Sequence, residues 1–307
     1  MRLLVTGGCG FIGHHFVRAW RATHPDDRIV VLDALTYAGD ASRVAGLADL
    51  EVGDIADPPA VRRAFDRCGT VDALVHFAAE THVDRSLLEP SRFVRTNVLG
   101  TQVTLDVARE RGVGRFLHIS TDEVYGSLEP GTPPAVESAA FRPGSPYAAS
   151  KVGADALVTA AHNSFGLPTI VVRPCNTFGA GQHEEKLIPL LVRACLCGLP
   201  LPLYGDGLQH RDWLAVEDHV SALNLILSRA SPGSVWNLAG TGERTNVSVA
   251  EAVCAATGTS PTRILSVSDR PGHDRRYAMN AAPLAALGFS PTITLEDALP
   301  ALVAAAR

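Results

Sequence analysis

The stretch Leu3-Leu4-Val5-Thr6-Gly7-Gly8-Cys9-Gly10-Phe11-Ile12-Gly13 begins as an apolar strand and continues into a glycine-rich turn and a helix. In such a turn Gly7 permits the tight bend, Gly10 lets the backbone approach a pyrophosphate, and Gly13 lets helix and strand pack closely. The helix N-terminus, at Phe11-Ile12, adds N–H donors and a positive dipole. The stretch therefore predicts a dinucleotide-binding βαβ unit.

A second apolar run ends at Asp33, about 20 residues beyond the glycines. In dinucleotide-binding units an acidic residue at this position hydrogen-bonds to the adenosine ribose. Because a carboxylate there repels a 2′-phosphate, we expect NAD rather than NADP. Ligands of open parallel sheets lie at the carboxyl ends of the strands. Further residues predicted at that edge are Asp54 and Ile55, toward the adenine, and Ala78, Ala79, Glu80 and Thr96.

Short β-branched runs alternate with amphipathic stretches through the first half of the chain, which predicts a doubly wound, mostly parallel Rossmann sheet of the α/β class. The strand candidates are Leu3–Val5, Ile29–Leu32, Ala73–Phe77, Phe116–Ile119 and Thr169–Val172. The helix candidates in this half are residues 12–23, 58–67, 91–110 and 147–165.

After about residue 175 the alternation loosens and glycine and proline become dense, which indicates a smaller mixed α/β lobe. Its helix candidates are residues 186–197, 216–229, 247–257 and 294–306. We expect an NAD-binding domain over 1–175, with returning segments near 208–240, and a substrate-binding lobe over 176–307. Because no low-complexity linker separates them, we expect the two to be interleaved.

Composition narrows the range of partners. The net charge is −5, from 27 basic and 32 acidic residues, and no basic stripe is present, so we expect neither nucleic acid nor an anionic membrane as partner. The six cysteines lack the paired spacing of a zinc site, so no metal is predicted. The chain opens without the pattern of a signal peptide, and we expect a cytoplasmic protein with reduced thiols.

The chemistry is predicted at Ser120-Thr121-Asp122-Glu123-Val124-Tyr125-Gly126, which follows a strand candidate and so lies at the same carboxyl edge. Tyr147 and Lys151 have the one-turn spacing that puts two side chains on one helical face. A nearby ammonium lowers the pKa of a phenol, which would make Tyr147 a base for a sugar hydroxyl during hydride transfer. Alone, the two carboxylates could instead be a helix cap.

With these residues the chain resembles the extended short-chain dehydrogenase/reductases, and among them the dTDP-glucose 4,6-dehydratases. The resemblance covers nearly the whole chain. Besides the turn and the heptad, it is carried by Leu35-Thr36-Tyr37-Ala38-Gly39, Ala78 to Ser86, Ser145-Pro146-Tyr147, Glu185 to Pro189, Arg211-Asp212-Trp213-Leu214 and Asp269 to Tyr277.

The resemblance implies a lyase that dehydrates a nucleotide-diphospho-hexose, most readily dTDP-glucose, to a 4-keto-6-deoxy sugar. Tyr147 would take the C4 hydroxyl proton while hydride passes to NAD, with Thr121 bonded to that oxygen and Lys151 tuning the tyrosine. Glu123 would remove the C5 proton and Asp122 would protonate the departing C6 hydroxyl. This division of roles needs one carboxyl ionised and the other protonated. Two neighbouring carboxyls meet this need, because repulsion between their negative charges drives their pKa values apart.

By the same resemblance, Leu35, Thr36 and Thr177 join the cofactor set. The implied substrate contacts are His82, Thr121, Asn176, Lys186, Leu187, Pro202, Tyr204, Arg211, Asn237, Arg270 and His273. Two arginines suit a diphosphate because a guanidinium fork matches its oxygens. Related enzymes commonly pair through two helices per subunit, which implies a homodimer through residues 91–110 and 147–165.

Two departures leave alternatives open. Thr177 stands where the family typically has a second asparagine, and residues 180–184 replace a more proline-rich and aromatic stretch. The run from Arg173 to Gly179 resembles UDP-glucuronate decarboxylases and nucleotide-sugar 4-epimerases of the same superfamily. A non-catalytic NAD-binding sensor is a further alternative, although a sensor has no need of Tyr147, Lys151, Asp122 and Glu123 together.

Overall fold

The computed structural model describes all residues from 1 to 307. The chain forms twelve strands: β1 Arg2–Thr6, β2 Arg28–Asp33, β3 Asp49–Val52, β4 Ala73–His76, β5 Phe116–Ile119, β6 Thr169–Pro174, β7 Asn176–Phe178, β8 Leu201–Tyr204, β9 His210–Ala215, β10 Val235–Leu238, β11 Glu243–Thr245 and β12 Ile264–Val267. Its eleven α-helices are α1 Phe11–Thr23, α2 Pro58–Cys68, α3 Val83–Leu88, α4 Pro90–Phe93, α5 Gly100–Arg111, α6 Pro146–Phe165, α7 Leu187–Leu196, α8 Val216–Arg229, α9 Asn246–Thr257, α10 Ala282–Ala286 and α11 Leu295–Ala305.

Seven strands form one sheet in the order β10-β6-β5-β4-β1-β2-β3. The pairings that link β3 through β1 and β4 to β6 are all parallel. The order reverses between β1 and β4, and in doubly wound sheets ligands bind at such a reversal, outside the carboxyl ends of the strands. The predicted fold class is therefore confirmed.

The helix predicted over residues 91–110 is not uniform. It consists of α4, a π-helical turn over Val94–Leu99 and then α5. A π turn widens the helix by one residue, is rare, and frequently lies at a functional site. This turn carries Thr96 and the buried Asn97, which accepts from the Glu80 N–H in the segment after β4.

The chain divides into two compact units. The first contains residues 1–124, 145–173 and 220–236, and its sheet packs around buried side chains such as Leu4, Phe65 and Phe116. The returning segment is thus shorter than the expected 208–240. Residues 125–144, expected in the first domain, belong to the second unit.

The second unit contains residues 125–144, 174–219 and 237–307. It holds a three-stranded sheet, in the order β11-β9-β7, and the parallel pair β12-β8. Its core is formed where α7, α9 and α11 pack together, with buried residues such as Leu191, Val253 and Leu299. No helix of the chain is both long and apolar enough to cross a bilayer.

Candidate active site

The glycine turn is held by two backbone hydrogen bonds. The Gly7 N–H donates to the Leu32 carbonyl at 2.9 Å, and the Gly10 N–H donates to the Gly7 carbonyl at 3.1 Å. A Cβ on Gly13 would lie only 2.2 Å from the Gly7 oxygen, and one on Gly7 only 2.6 Å from the Ala78 nitrogen. The turn can close in this way only with glycine at both positions.

Gly10 differs from these two glycines, because a Cβ there would meet only the Gly7 oxygen, at 3.2 Å. The space in front of Gly10 is therefore open for a group to approach the backbone. Gly10 is also the N-cap of α1, and no side chain caps the helix, so its first N–H groups can bind an anion. This geometry fits the pyrophosphate of a dinucleotide.

Asp33 ends β2 beside the turn, with its carboxylate held by two backbone donors. One oxygen accepts from the Cys9 N–H at 2.9 Å and the other from the Leu35 N–H at 2.8 Å. Burial raises the pKa of Asp33, and these two bonds oppose that shift by favouring the charged form. Each carboxylate oxygen has a second lone pair, so Asp33 can also accept from ribose hydroxyls.

The other residues predicted around the cofactor divide into two groups. Leu35, with a positive φ of 48°, and Thr36, whose carbonyl accepts from Gly39, shape the loop after β2. The backbone of Ala78 and Ala79 lies in the segment that follows β4, and the Ala78 N–H donates to the Thr6 hydroxyl at 3.4 Å. These backbone positions fit the predicted cofactor edge.

Three side chains in the predicted cofactor set are engaged elsewhere. The Asp54 carboxylate pairs with Arg95, and Ile55 is 4% exposed and belongs to the core of the first unit. The Glu80 carboxylate pairs with Arg92 at 2.8 Å. The contacts of these three residues with a cofactor therefore stay a prediction.

The catalytic candidates lie together in the first unit. A 3₁₀ turn over Asp122–Tyr125 follows β5 directly, and Thr121 donates to an Asp122 oxygen at 3.2 Å and accepts from the Glu123 N–H at 3.3 Å. The Tyr147 side chain hydrogen-bonds to Thr121. The predicted hydroxyl, carboxylate pair and phenol therefore form one connected group.

Helix α6 positions Tyr147 and Lys151. Ser145 caps the helix by accepting from the Ala148 N–H at 3.1 Å, and Pro146 occupies the first turn. The Lys151 ammonium donates to the Ile119 carbonyl at 2.6 Å, at the end of β5. Because burial disfavours the charged form, the pKa of Lys151 is lowered to about 8.

The pKa of Tyr147 moves opposite to the prediction. Burial raises it well above its usual value, the negative charges of Glu123 and Asp122 add to the increase, and the hydrogen bond with Thr121 opposes it. The predicted lowering by Lys151 is wrong for this chain on its own, because burial and two carboxylates outweigh one ammonium that is bonded to a carbonyl. Tyr147 is a base only when further positive charge lies nearby.

Two buried residues that support this group were missed by the sequence reasoning. Asn97 donates to the Glu80 carbonyl at 3.0 Å and to the Ser150 hydroxyl at 2.8 Å, and Ser150 in turn donates to the Tyr147 carbonyl at 2.7 Å. Asn97 thereby ties the segment after β4 to the helix that carries Tyr147. A polar residue on the buried face of a helix was the available signal.

Asp155 is the second missed residue, one helical turn beyond Lys151. It is fully buried, and it accepts from the Arg173 Nε at 2.8 Å. Its negative charge partly offsets the effect of burial on Lys151. The spacing Lys151 to Asp155 was the sequence signal, since residues four apart lie on one helical face.

In the second unit, several predicted substrate residues form a local cluster. The His273 ring nitrogen Nδ1 lies 2.6 Å from an Asp269 oxygen, and its ring meets the Tyr204 ring edge-on at 5.9 Å between centroids. Arg211 is 5% exposed, stacks over Tyr277 at 4.1 Å and donates to the Asp274 carbonyl at 2.8 Å. A guanidinium has five N–H donors, so Arg211 retains capacity for a ligand.

The remaining predicted substrate residues differ in exposure. Asn176, Lys186 and Leu187 are half-buried, as are His82 and Arg270, whereas Pro202 is exposed. Thr177 is bonded within the second unit, with its hydroxyl 2.8 Å from the His219 Nδ1. His219 is fully buried, so the hydroxyl at this position packs against an internal histidine.

Asn237 does not fit the predicted substrate contact. It is fully buried, its amide oxygen accepts from the Tyr125 hydroxyl at 2.7 Å, and its amide nitrogen donates to the Ala135 and Asn280 carbonyls at 2.9 and 3.2 Å. These bonds tie residues 125–144 to the rest of the second unit. Asn237 is therefore a structural residue.

A Rossmann sheet with an uncapped glycine turn, a ribose-type carboxylate and a Tyr147–Lys151 helix defines a dinucleotide-dependent enzyme of the short-chain dehydrogenase/reductase type. The chain belongs to the NAD dependent epimerase/dehydratase family, whose model matches residues 3–239. The predicted resemblance and the predicted NAD dependence are thereby confirmed.

Individual relatives agree along the whole chain. A dTDP-glucose 4,6-dehydratase of Streptomyces antibioticus is 47% identical over 95% of this chain and 88% of its own length. The low-salt glycan biosynthesis protein Agl12 of Haloferax volcanii is 44% identical over 99% and 97%. The dTDP-glucose 4,6-dehydratase DesIV of Streptomyces venezuelae, solved with NAD and dTDP bound, has a TM-score of 0.94 at 43% identity, over 99% of this chain and 96% of its own.

Gly10, which faces open space, and Gly13, which is closely packed, give two predictions, one for NAD binding and one for stability. Gly10→Ala should leave the fold intact, because its Cβ meets only one oxygen, but should weaken NAD binding at least about tenfold by filling the open space. Gly13→Ala should destabilise the chain by about 1–3 kcal/mol, because its Cβ overlaps the Gly7 oxygen. Calorimetric titration with NAD and urea unfolding measure the two effects, and unaltered NAD affinity in Gly10→Ala would contradict the assignment.

Proposed function

We propose that this chain dehydrates dTDP-glucose to the 4-keto-6-deoxy sugar, with NAD as a cofactor that is restored in every cycle. The observation that carries the proposal is the connected group of Thr121, Asp122, Glu123 and Tyr147 at the carboxyl end of β5. An oxidation at C4 alone needs Tyr147 and a hydride acceptor. The two carboxyls are needed only when a proton and a hydroxyl also leave the sugar.

The first step removes hydrogen from C4. Bound NAD supplies the hydride acceptor, the positive charge of its nicotinamide and, later, the hydride that reduces C6. Tyr147 takes the proton of the C4 hydroxyl, and Thr121, bonded to Tyr147, orients the same oxygen. Lys151 adds positive charge one helical turn away and holds the end of β5 through the Ile119 carbonyl.

The second step eliminates water across C5 and C6. A ketone at C4 acidifies the C5 proton, and Glu123 removes it as the general base. Asp122 donates a proton to the C6 oxygen, so the C6–O bond breaks and water leaves. Asp122 is 3% exposed whereas Glu123 is half-buried, and burial disfavours charge, so Asp122 is the natural proton donor of the two.

The final step returns a hydride to C6 and a proton to C5, which Glu123 is placed to deliver. Oxidation at C4 and reduction at C6 balance, so no external oxidant or reductant is consumed. The nicotinamide cofactor therefore has no reason to leave between cycles.

The second unit would bind the nucleotide diphosphate. Arg211 and Arg270 suit the diphosphate oxygens, and the Asp269-held His273 suits a further polar contact. Pro202 and the 38% exposed Tyr204 offer a flat apolar surface for the base, beside Lys186 and Leu187. Asn176 completes the proposed set, and we omit Asn237 because its amide is already satisfied.

The free state of all six cysteines suits the cytoplasm, where we place the protein.

We also propose that two copies pair through the helical segment 90–111 and α6. These helices expose large apolar side chains, with Val94 at 55%, Leu99 at 49% and Phe165 at 59% exposure. Light scattering after size exclusion should give twice the chain mass of 32.4 kDa. A single-chain mass at micromolar concentration would contradict the pairing.

The division of labour between the two carboxyls is tested by Asp122→Asn and Glu123→Gln. Asp122→Asn should slow water loss by about 10²- to 10⁴-fold, because no acid protonates the leaving hydroxyl. Oxidation at C4 should persist, and the C5 proton should still exchange with deuterium from solvent. Glu123→Gln should abolish that exchange. Product mass spectrometry and deuterium incorporation at C5 distinguish the two variants.

The same mass spectrometry on wild type, with dTDP-glucose, UDP-glucose and UDP-glucuronate offered in parallel, tests the reaction type. Loss of water from dTDP-glucose is expected. Loss of carbon dioxide from UDP-glucuronate, or a product of unchanged mass, would overturn the proposal in favour of a decarboxylase or an epimerase. Full turnover by Asp122→Asn would overturn the role of that residue.

Lys151 predicts the pH dependence. With its pKa at about 8, the ammonium loses its proton as the pH rises, so turnover should fall about tenfold between pH 7 and pH 9. The stability of the fold should not fall over this range. The folded-state pKa lies below the ordinary 10.5, so the folded chain releases the proton first and unfolding becomes less favourable as the pH rises from 8 to 10.5. Turnover profiles and thermal melts at matched pH separate the effects, and constant turnover through pH 9 would contradict the role of the ammonium.

A further inference from the structure

Tyr37 and Arg85 meet although they follow different strands. Tyr37 lies in the loop after β2, and Arg85 lies in α3 after β4. The Arg85 guanidinium carbon is 3.8 Å from the centroid of the Tyr37 ring. This is the distance of a stacked cation–π contact.

The order of the sheet shows what this contact crosses. Strands β2 and β4 are the two neighbours of β1, on opposite sides. Adjacent strands lie about 4.8 Å apart, so the ends of β2 and β4 are separated by roughly 10 Å. A contact between the segments that follow them must therefore pass over the carboxyl end of β1, where the glycine turn Gly7–Gly13 begins.

The loop that carries Tyr37 rests on the glycine turn. The Asp40 N–H donates to the Cys9 carbonyl at 3.1 Å, and Arg43 donates to the same carbonyl at 3.3 Å. Leu35 adopts a positive φ of 48°, a conformation that non-glycine residues rarely adopt and that the surrounding structure must hold. The Leu35 N–H is bonded to Asp33, so the strained residue is also tied to the ribose carboxylate.

Helix α3, which carries Arg85, is anchored on the catalytic side. Val83 is buried in a cluster with Phe93 and Tyr147. Ser86 is fully buried, its hydroxyl donates to the Val83 carbonyl at 2.6 Å, and its N–H donates to the His82 carbonyl. The stacked pair therefore joins a loop fixed to the glycine turn with a helix packed on Tyr147.

We propose that Tyr37 and Arg85 form a clasp across the end of β1 that retains the bound dinucleotide, so that NAD leaves the chain only after this contact opens. The proposal rests on the NAD binding proposed above and adds two residues to it that hold the cofactor in place without taking part in the chemistry. A retained cofactor suits a reaction that restores NAD in every cycle. The clasp slows the dissociation of NAD compared with a chain that lacks the contact. It leaves the product of the reaction unchanged.

The test measures how fast NAD leaves the protein. Wild type and variants are loaded with NAD and diluted into excess ADP-ribose, and the NAD released is quantified by chromatography over time. Tyr37→Leu and Arg85→Met should each release NAD about 3 to 30 times faster, the factor expected from losing one cation–π contact. Tyr37→Phe keeps the ring face and should release at close to the wild-type rate.

Two controls separate the clasp from general effects. Arg28 pairs with Asp49 at 3.3 Å where β2 begins, at the opposite end of the strands from the glycine turn, so Arg28→Met removes an arginine contact remote from the clasp and should leave the rate unchanged. The double variant Tyr37→Leu/Arg85→Met should release no faster than the faster single variant, because both changes remove the same contact.

The outcomes distinguish the clasp from the function on which it rests. A wild-type chain that binds no NAD would overturn the proposed function and the clasp with it. A wild-type chain that binds NAD, with Tyr37→Leu and Arg85→Met releasing it at the wild-type rate, would overturn the clasp alone. Additive effects in the double variant would overturn the pairing of the two residues.

Discussion

The carbonyl oxygen of Gly7 is the point on which the cofactor side of the structure depends. It accepts from the Gly10 N–H, and it occupies the space that any side chain at position 13 would need. Helix α1 can therefore approach β1 only because Gly13 carries no Cβ. With the helix in that place, the Cys9 N–H reaches the Asp33 carboxylate and the Cys9 carbonyl reaches Asp40. The anion site, the ribose carboxylate and the loop after β2 are thus ordered by one close contact.

A second constraint lies beneath the catalytic group, where charged side chains are buried. Lys151, Asp155 and Arg173 are each 3% exposed or less, and burying charge is costly unless it is paired. Here the ammonium is bonded to the Ile119 carbonyl and the guanidinium to Asp155. Fixed partners of this kind replace water around the reacting atoms, and they need no reorganisation when charge develops there. The cost in stability therefore supports a preorganised site.

The parts of the structure that could be predicted from sequence are those set by local spacing. The glycine turn, Asp33 at the end of β2 and the Tyr147–Lys151 pair each depend on residues within one element or one turn. The long-range partners of these side chains could not be predicted, because they lie far along the chain. Asp54 pairs with a residue 41 positions away and Asn237 bonds with Tyr125, 112 positions away, and local patterns hold no information on such pairs.

Differences in organisation and electrostatics have further causes, which also lie in the tertiary structure. Residues 125–144 lie between two catalytic segments in sequence, yet they pack in the second unit, where Ala135 bonds with Ala278. The π turn at 94–99 is a distortion of one residue within a helical pattern and leaves the hydrophobic periodicity nearly unchanged. The pKa of Tyr147 depends on its depth of burial, which a spacing rule for Lys151 does not contain.

The turn at Asp122–Tyr125 has a geometric consequence for the directions of its two carboxyls. A 3₁₀ helix has three residues per turn, so neighbouring side chains diverge by about 120°, compared with about 100° in an α-helix and 180° in a strand. Two adjacent residues of such a turn can therefore face two different atoms of one bound molecule. Since each carboxyl points its own way, either one can be replaced without moving the other.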